Sequence, residues 1–470
     1  MTAAGTEELA FAGAARQAEL MRSGEVSSRE LVELYLERIE RIDPQLNAYR
    51  VVMAESALTG ADEADAQRRR GDERPLLGVP LAIKDNVDVA GELTTLGTRA
   101  HGPPATADAE VVRRLRIAGA VILGKTNVPE LAIMGSTESP TWGVTRNPWG
   151  LEHTPGGSSG GSGAAVAAGL AAAAHATDGA GSIRIPAANC GLFGLKPQRG
   201  RVSLMPNLEH WKGMSVTGAL SRSVQDTALY LDAASGAAPG DLHVARPPPR
   251  PFLESARTPP GRLRIAVSFK PPLPFPLHPE VHGAVESTAY LLRSLGHHVE
   301  HHDPAYNEIG AVFMPRYLRG IADDAADMAR PELLQRRTRG FARLGRALPD
   351  AVVERAIRDE PRQAARINRL FESYDVLMTP TTARPPVGAA EWEGLGAVRT
   401  LLGMVRVYPY TATWNATGQP AASVPAGFSC EGLPLAVQLV GRAHDEGVLL
   451  SLAAQVEAER PWADARPPVS

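Results

Sequence analysis

The chain is short of four things, and each shortage excludes something. It has two cysteines in 470 residues, Cys190 and Cys430, too few for a disulfide framework and in keeping with a reducing compartment. It has no long apolar run: the stretch from Ala164 to Ala174 is mostly Ala with a Gly inside, well short of the roughly 20 residues a membrane span needs. It has almost no net charge, −3 formally, so there is no electrostatic case for nucleic acid or an anionic membrane as a partner. It is also poor in lysine. Only five of the 49 basic residues are Lys (Lys84, Lys125, Lys196, Lys212, Lys270), against 44 arginines. Base composition accounts for the arginine excess. Where Arg is the general-purpose cation, however, a remaining Lys is a candidate for work that requires losing a proton.

The rest of the composition, 44% hydrophobic and 21% charged, is that of a globular protein with a large core in one to three domains. The N-terminus carries Glu7 and Glu8 early and has no basic segment leading into an apolar one, so a cytoplasmic location is expected. Ser27 and Glu30 form a capping box ahead of a helical apolar pattern over 27–42, and Asp43-Pro44 is expected to stop that helix. A second helix is expected over about 53–69, giving N-terminal helices over 1–70. Strand-like runs then follow at Val79–Ile83 and Ala120–Leu123, with a helical stretch at 108–118 between them. A Pro- and Gly-rich extended connection covers Gly236 to Gly261. Beyond it come a strand at Arg264–Val267, a helix over 279–295, a strand from Val299 and a long Arg- and Ala-rich helical region over about 305–372. Strand-like text resumes at Asp375–Thr379 and over 420–442. The pattern predicts one α/β domain over 1–470, with a core at about 65–236 and 373–470 and a mostly helical insertion at about 262–372.

Two motifs are decoys. Gly119 to Thr126 matches the phosphate-loop pattern, but its four central residues are an apolar strand and Asn127-Val128-Pro129 does not open a helix, as that motif requires. His297, His298, His301 and His302 straddle a helix end and a strand start, with no second ligand set at zinc-like spacing.

The densest chemical text is 154–200. Five of the nine residues from 155 to 163 are Gly, bracketing Ser158, Ser159 and Ser162. A second Gly-rich turn, Asp178 to Ser182, follows an Ala-rich stretch that reads as a buried helix. Two serine-bearing turns with many backbone N–H donors suit a nucleophile beside an oxyanion hole. Gly156 to Gly160 also fits the G-x-S-x-G elbow of α/β-hydrolases, with Ser158 as nucleophile and Asp375 and His444 as available partners. The residues before it are not a strand, which leaves that reading a minor alternative.

These residues resemble the amidase signature family, serine hydrolases of C–N bonds. The likeness runs through GVPLAIKDNVDVAG around Lys84, GKTNVPELA around Lys125, TRNPW at 145–149, the central block from Pro155 to Pro197, and NATGQPAASVPAGF with GLPLAVQLVGR near the C-terminus. The resemblance implies a large mixed β-sheet wrapped by helices and a Ser–Ser–Lys triad. Ser182 would be the nucleophile, Ser158 the bridging serine with a cis peptide to Gly157, and Lys84 the base. The N–H groups of Gly179, Ala180, Gly181 and Ser182 would form the oxyanion hole. No metal or organic cofactor is implied. The chemistry is coherent, because a free Lys is neutral in only roughly one molecule in 2,000 at pH 7 and burial corrects that. Ala180 stands where the family often has Gly, which would be strained if that position required positive φ.

The implied activity is hydrolysis of an amide to acid and amine. Text around Ser182 looks closest to members that cleave nylon-oligomer, anilide and carbamate substrates. Ile133, Met134 and Trp142 are candidate pocket residues. Aryl esters share the acyl-enzyme chemistry. The alternative from another class is the glutaminase subunit of a tRNA-dependent amidotransferase, which commonly has Gln where Ile185 stands. The expected partner is a small-molecule amide or carbamate, with no nucleic acid or membrane, and the expected state is a monomer or homodimer. Lys125 and Lys196 are expected to be structural.

Overall fold

Short apolar runs with no polar alternation mark strands buried on both faces. In the computed structural model, which describes residues 3–306 and 308–470 (side chains from residue 7), they become the centre of one sheet. In chain order the strands are β1 (Tyr49–Val52), β2 (Pro80–Lys84), β3 (Val121–Thr126), β4 (Glu138–Ser139), β5 (Gly143–Val144), β6 (Ala173–Asp178) and β7 (Phe193–Lys196). Then come β8 (Val216–Ser221), β9 (Arg264–Val267), β10 (His298–His301), β11 (Val376–Pro380), β12 (Ala421–Phe428) and β13 (Pro434–Gly441). Strands β4 and β5 pair only with each other; the rest form an 11-stranded sheet ordered β1-β3-β2-β6-β8-β7-β12-β13-β11-β9-β10. It is mixed. β2 runs parallel to β3 and β6, and β9 parallel to β10 and β11, with antiparallel pairs elsewhere. Helices flank the sheet, so the expected α/β architecture is what forms. In the 262–372 segment the strands expected at Arg264–Val267 and from Val299 form as β9 and β10 and extend the sheet, ahead of the helices Ile309–Asp327, Arg336–Arg346 and Asp350–Asn368.

Ser27 and Glu30 do form the capping box. The helix they open does not stop at Asp43-Pro44, however; it runs from Ser28 to Leu46. Pro44 falls in the last turn, where it removes one i→i−4 hydrogen bond and only two residues of the helix follow it. The actual stop is Asn47, left-handed at φ 54, while the Asp43 carboxylate accepts from the Ala48 and Tyr49 N–H groups beyond. The 236–261 connection likewise holds a short helix, Phe252–Arg257, whose first N–H groups donate to Asp232.

Only the first part of the Ala-rich stretch is helical, whereas from Ala173 the chain is strand β6. The helix, Gly160–Ala167, is buried along its whole length and packed on β2, β3 and β6. Its glycines permit that approach: a Cβ on Gly161 would stand 2.5 Å from the Asn127 nitrogen and 2.6 Å from the Ala48 oxygen. A second apolar cluster lies apart from the main core. It joins Ile133 and Met134 to Trp211, Tyr317, Phe341, Met404 and Tyr408. Among the described residues no helix is long and apolar enough to cross a membrane.

Gly161→Ala should destabilise the fold by about 1–3 kcal/mol, because backbone cannot yield cheaply to the new methyl. Gly283→Ala, in the helix Pro279–Ser294 with open space around it, should be neutral or stabilising by up to ~1 kcal/mol. Thermal midpoints of the two variants check the contrast.

Candidate active site

Strands β2 and β6 are parallel neighbours, with Leu81 opposite Ala173 and Ala82 opposite Ala174, so they end on the same edge of the sheet. That edge is where open α/β sheets place ligands. β2 ends on Lys84 and β6 ends on Thr177-Asp178. The loop before the helix Gly160–Ala167 brings Ser158 to the same point, and its peptide to Gly157 is cis. Lys84 Nζ donates to Ser158 Oγ at 2.8 Å and to Thr177 Oγ1 at 2.7 Å; Thr177 Oγ1 also accepts from Asn86 Nδ2 at 3.0 Å. The other serines of the loop fasten it to the sheet. Ser159 Oγ donates to the Thr177 carbonyl at 3.2 Å, and Ser162 Oγ lies 2.8 Å from Thr126 Oγ1 while donating to the His175 carbonyl at 2.9 Å.

Lys84 is fully buried, and its two side-chain partners are hydroxyls. Burial is the dominant influence on its ammonium; Asp178 opposes it only partly, and the pKa falls to about 7. Lys125 sits one strand away and is also buried, but its Nζ lies 3.0 Å from Asp85 Oδ1 and donates to the Leu93 carbonyl at 2.7 Å. That is an ion pair of the sheet, not a phosphate loop. Lys196 is buried with its Nζ on the Pro197 carbonyl at 2.8 Å, and burial drives its pKa well down.

Below the second turn, Asp178 is fully buried. Burial alone would raise its carboxyl, but the Arg184 guanidinium at 2.9 Å outweighs that and holds it well below the usual carboxylate range. Its oxygens also accept from the backbone N–H groups of Gly181 at 2.6 Å and Ile183 at 3.1 Å. The Gly181 N–H is therefore engaged and is not available to a ligand, which corrects the expectation for that residue. The N–H groups of Gly179, Ala180 and Ser182 hydrogen-bond to nothing among the described residues. Ala180 does not have positive φ; the residue that does is Gly181, at 132°. The Ala in place of Gly at 180 is thus unstrained.

Ser182 opens into an apolar cavity of about 80 Å³. Ile133 and Met134 line it, along with Ile185, Trp211 and Phe313, Met314 and Tyr317 from the Ile309–Asp327 helix. The helix Ala397–Val407 and the residues after it add Leu401, Met404 and Tyr408. Trp142 does not line it: it lies in the β4–β5 hairpin, its carbonyl accepting from Asn47 Nδ2 at 2.6 Å. The tryptophan of the cavity is Trp211, whose indole packs so closely that a Cβ on Gly179 would stand 2.7 Å from it. Its Nε1 donates to Asp324 at 2.7 Å.

The α/β-hydrolase partners lie elsewhere. Asp375 is paired with Arg264 and Arg442, and His444 lines a separate cavity with Pro248 and Ser451. No histidine hydrogen-bonds to Ser158 or Ser182 among the described residues. The nearby His175 is held neutral by burial, with Lys84 and Lys125 adding to the fall of its pKa to about 3. The clustered histidines form separate contacts, His297 to Gln455, His298 to Glu300 and His301 to Glu286. Among the described residues no group of His, Cys, Asp or Glu is arranged to hold a metal.

Comparison with known proteins places this geometry. A family model described as Amidase matches residues 30–450. The chain is 52% identical over 466 residues to a Mycobacterium tuberculosis protein (strain ATCC 25618 / H37Rv) that carries the amidase name AmiB2, covering 98% of this chain and 99% of the relative. A solved structure of 6-aminohexanoate cyclic dimer hydrolase complexed with substrate superposes with a TM-score of 0.89 at 34% identity, over 98% of this chain and 99% of the other. A bacterial aryl acylamidase of the amidase signature enzymes superposes with a TM-score of 0.87 at 26% identity, over 96% and 97% of the two chains. The chain belongs to the amidase signature family.

Proposed function

We propose that this chain is an amidase that hydrolyses small, non-peptide amides carrying an apolar group, by way of an acyl-enzyme on Ser182. The observation that carries the reading is the buried Lys84, bonded to Ser158 and lacking a carboxylate partner, with Ser182 and Gly157, the residue before Ser158, lining one cavity at a turn with free N–H groups. A lysine in that setting exists in good part as the neutral amine near pH 7 and can act as a base. In the proposed mechanism neutral Lys84 takes the Ser158 proton as Ser158 takes that of Ser182, a Ser-Lys form of triad logic. Ser182 Oγ bonds to the substrate carbonyl carbon. The oxyanion is met by the N–H groups of Gly179, Ala180 and Ser182. The proton returns through Ser158 to the leaving nitrogen as the C–N bond breaks, and water then repeats the sequence on the ester, releasing the acid.

The substrate class rests on the cavity. Its wall at Ile133, Met134, Ile185, Phe313 and Met404 offers apolar contact, worth about 25 cal/mol per Å² buried. Relatives named for a cyclic nylon dimer and for aryl acylamides are consistent with that wall. Carbamates and aryl esters present the same attackable carbonyl and belong in the same substrate panel. Ile185 in the wall speaks against a glutamine site, since a carboxamide there would lack polar partners.

Ser182→Ala should abolish turnover of an apolar anilide and the covalent acyl adduct seen by mass spectrometry. Substantial residual turnover would overturn the assignment, and an adduct on Ser158 would favour the hydrolase-elbow reading. Because the neutral form of Lys84 is the active one and its pKa is about 7, kcat/KM should fall tenfold per pH unit below ~7 and level off above it. Lys84→Ala should lose several orders of magnitude at pH 7, and Lys84→Arg should not restore them, because Arg keeps its proton. A panel of anilides, alkyl amides, carbamates, aryl esters and glutamine on the isolated chain should give its highest kcat/KM with apolar amides. Preference for glutamine would favour the amidotransferase reading.

A further inference from the structure

The peptide between Ala180 and Gly181 lies at the middle of the turn that carries the free N–H groups, and both of its polar atoms are held. Its N–H donates to Asp178 Oδ1 within the turn. Its carbonyl accepts from Thr411 Oγ1 at 2.6 Å, a contact between residues 231 positions apart. Thr411 is buried, and its own carbonyl accepts from Arg184 Nη1 at 2.8 Å, the guanidinium that pairs with Asp178. Four residues on, along the helix Ala412–Thr417, Asn415 Nδ2 donates to the Asp178 carbonyl at 2.7 Å. The start of that helix thus grips the turn at its crest and at its base.

The fit at the crest is close. A Cβ on Gly181 would stand 2.5 Å from Thr411 Oγ1, so the hydroxyl fills the space any side chain at 181 would need. Gly181 also imposes the least restraint on its own backbone. Without an outside anchor the 180–181 peptide could rotate, and the N–H groups on either side, those of Ala180 and Ser182, would swing with it. Ala412, adjacent to Thr411, lines the apolar cavity, as do Met404 and Tyr408 just before it. One segment therefore both touches the bound group and holds the turn.

We propose that Thr411 is a positioning residue for the oxyanion turn, whose hydroxyl, by holding the Ala180 carbonyl, keeps the Ala180 and Ser182 N–H groups aimed at the developing oxyanion. The inference rests on the Ser182 acyl-enzyme reading. Its signature is a loss realised in the transition state and not in substrate binding, because the ground-state carbonyl asks less of those donors than the oxyanion does.

The test is steady-state kinetics on one apolar anilide with the wild type, Thr411→Val, Thr411→Ser and Thr411→Cys, with Ser182→Ala as the blank. Thr411→Val should lower kcat about 10- to 100-fold with KM changed less than ~3-fold. Thr411→Ser should restore most of it, and Thr411→Cys, a weak donor, should fall between. A trifluoromethyl ketone, which forms an oxyanion on the nucleophile, should lose affinity in Thr411→Val by about the factor seen in kcat, while the carboxylic acid product should not. If the wild type gives no turnover above the Ser182→Ala blank, the acyl-enzyme reading fails. If the wild type turns over and Thr411→Val keeps its kcat, the positioning role fails alone. It fails equally if ketone and product affinities drop together, or if Thr411→Ser is as impaired as Thr411→Val. Should Thr411→Val not fold, Thr411→Cys indistinguishable from the wild type in kcat and ketone affinity overturns the proposal, and a graded loss from Ser to Cys supports it.

Discussion

A lysine ammonium in the interior with no carboxylate to pair with is the constraint around which the rest of this site is arranged. Two buried lysines on adjacent strands show the choice. Lys84 ends β2 and stands opposite Thr126, while Lys125 stands opposite Ile83. Asp85 follows Lys84 directly, so alternation along the chain turns its carboxylate away from Lys84 and onto Lys125, with Arg50 at 3.1 Å as a second partner. At Lys125 burial again lowers the pKa, but a counter-ion, Asp85, opposes it directly. Lys84 is met by Ser158 and Thr177, hydroxyls that can each give or take a proton but cannot neutralise a cation. Burial then does what it does to any unpaired charge and favours the neutral form.

The acid whose charge acts on Lys84, Asp178, is kept from undoing this. Asp178 would hold the lysine as a cation if it were free, but its carboxylate is shared among Arg184, Asn415 and the backbone of its own turn. Arg184 in turn reaches Gln438 at 2.7 Å and the Thr411 carbonyl. Buried ion pairs of this kind add little net stability over apolar packing. What this one does is geometric: it fixes the Asp178 carboxylate, which in turn holds the backbone of the glycine-rich turn that Asp178 opens. The charge that acts on Lys84 and the scaffold that shapes the turn belong to the same residue pair.

The local part of this was legible in the sequence. Lys84, Ser158 and Ser182 stand in contiguous motifs, and each is placed by elements whose character is written in the neighbouring residues: the apolar run of β2, the glycines before the helix Gly160–Ala167, and the turn after β6. The mixed α/β sheet was legible for the same reason. The unreadable parts are those made by distant segments meeting. Thr411 and Asn415 reach the turn from more than 200 residues away; Asn415 opens the NATGQP motif, but nothing in that motif says which turn it holds, and Thr411 stands outside it. Trp211 lies in a polar loop with no apolar period, and its role depends on the bare faces of Gly179 and Gly320. Trp142, by contrast, stands just ahead of the TRNPW motif, and position near the motifs and apolar character put it in a pocket that it does not line. Pro44 and the Phe252–Arg257 helix were missed because the side chains that settle them, Asp43 and Asp232, act through backbone groups that composition does not reveal.

The division of labour between sheet and helices has a consequence for how such a protein can change. Lys84, Ser158, Ser182 and the turn from Asp178 to Ser182 all hang on the parallel edge of β2 and β6. The cavity wall comes largely from elsewhere, from the Ile309–Asp327 helix, which packs against the Arg336–Arg346, Asp350–Asn368 and Ala412–Thr417 helices, and from Ala397–Val407. That second apolar cluster is separate from the sheet core, so Met314 can vary in size without disturbing Lys84. The segment from Met404 to Asn415 is the exception, because it lines the cavity with Tyr408 and Ala412 and holds the turn with Thr411 and Asn415. A change of substrate that needs only more or less room can come from the Ile309–Asp327 helix. One that alters the wall at Tyr408 or Ala412 acts on the anchor of the turn as well, and there shape selectivity and rate cannot vary independently.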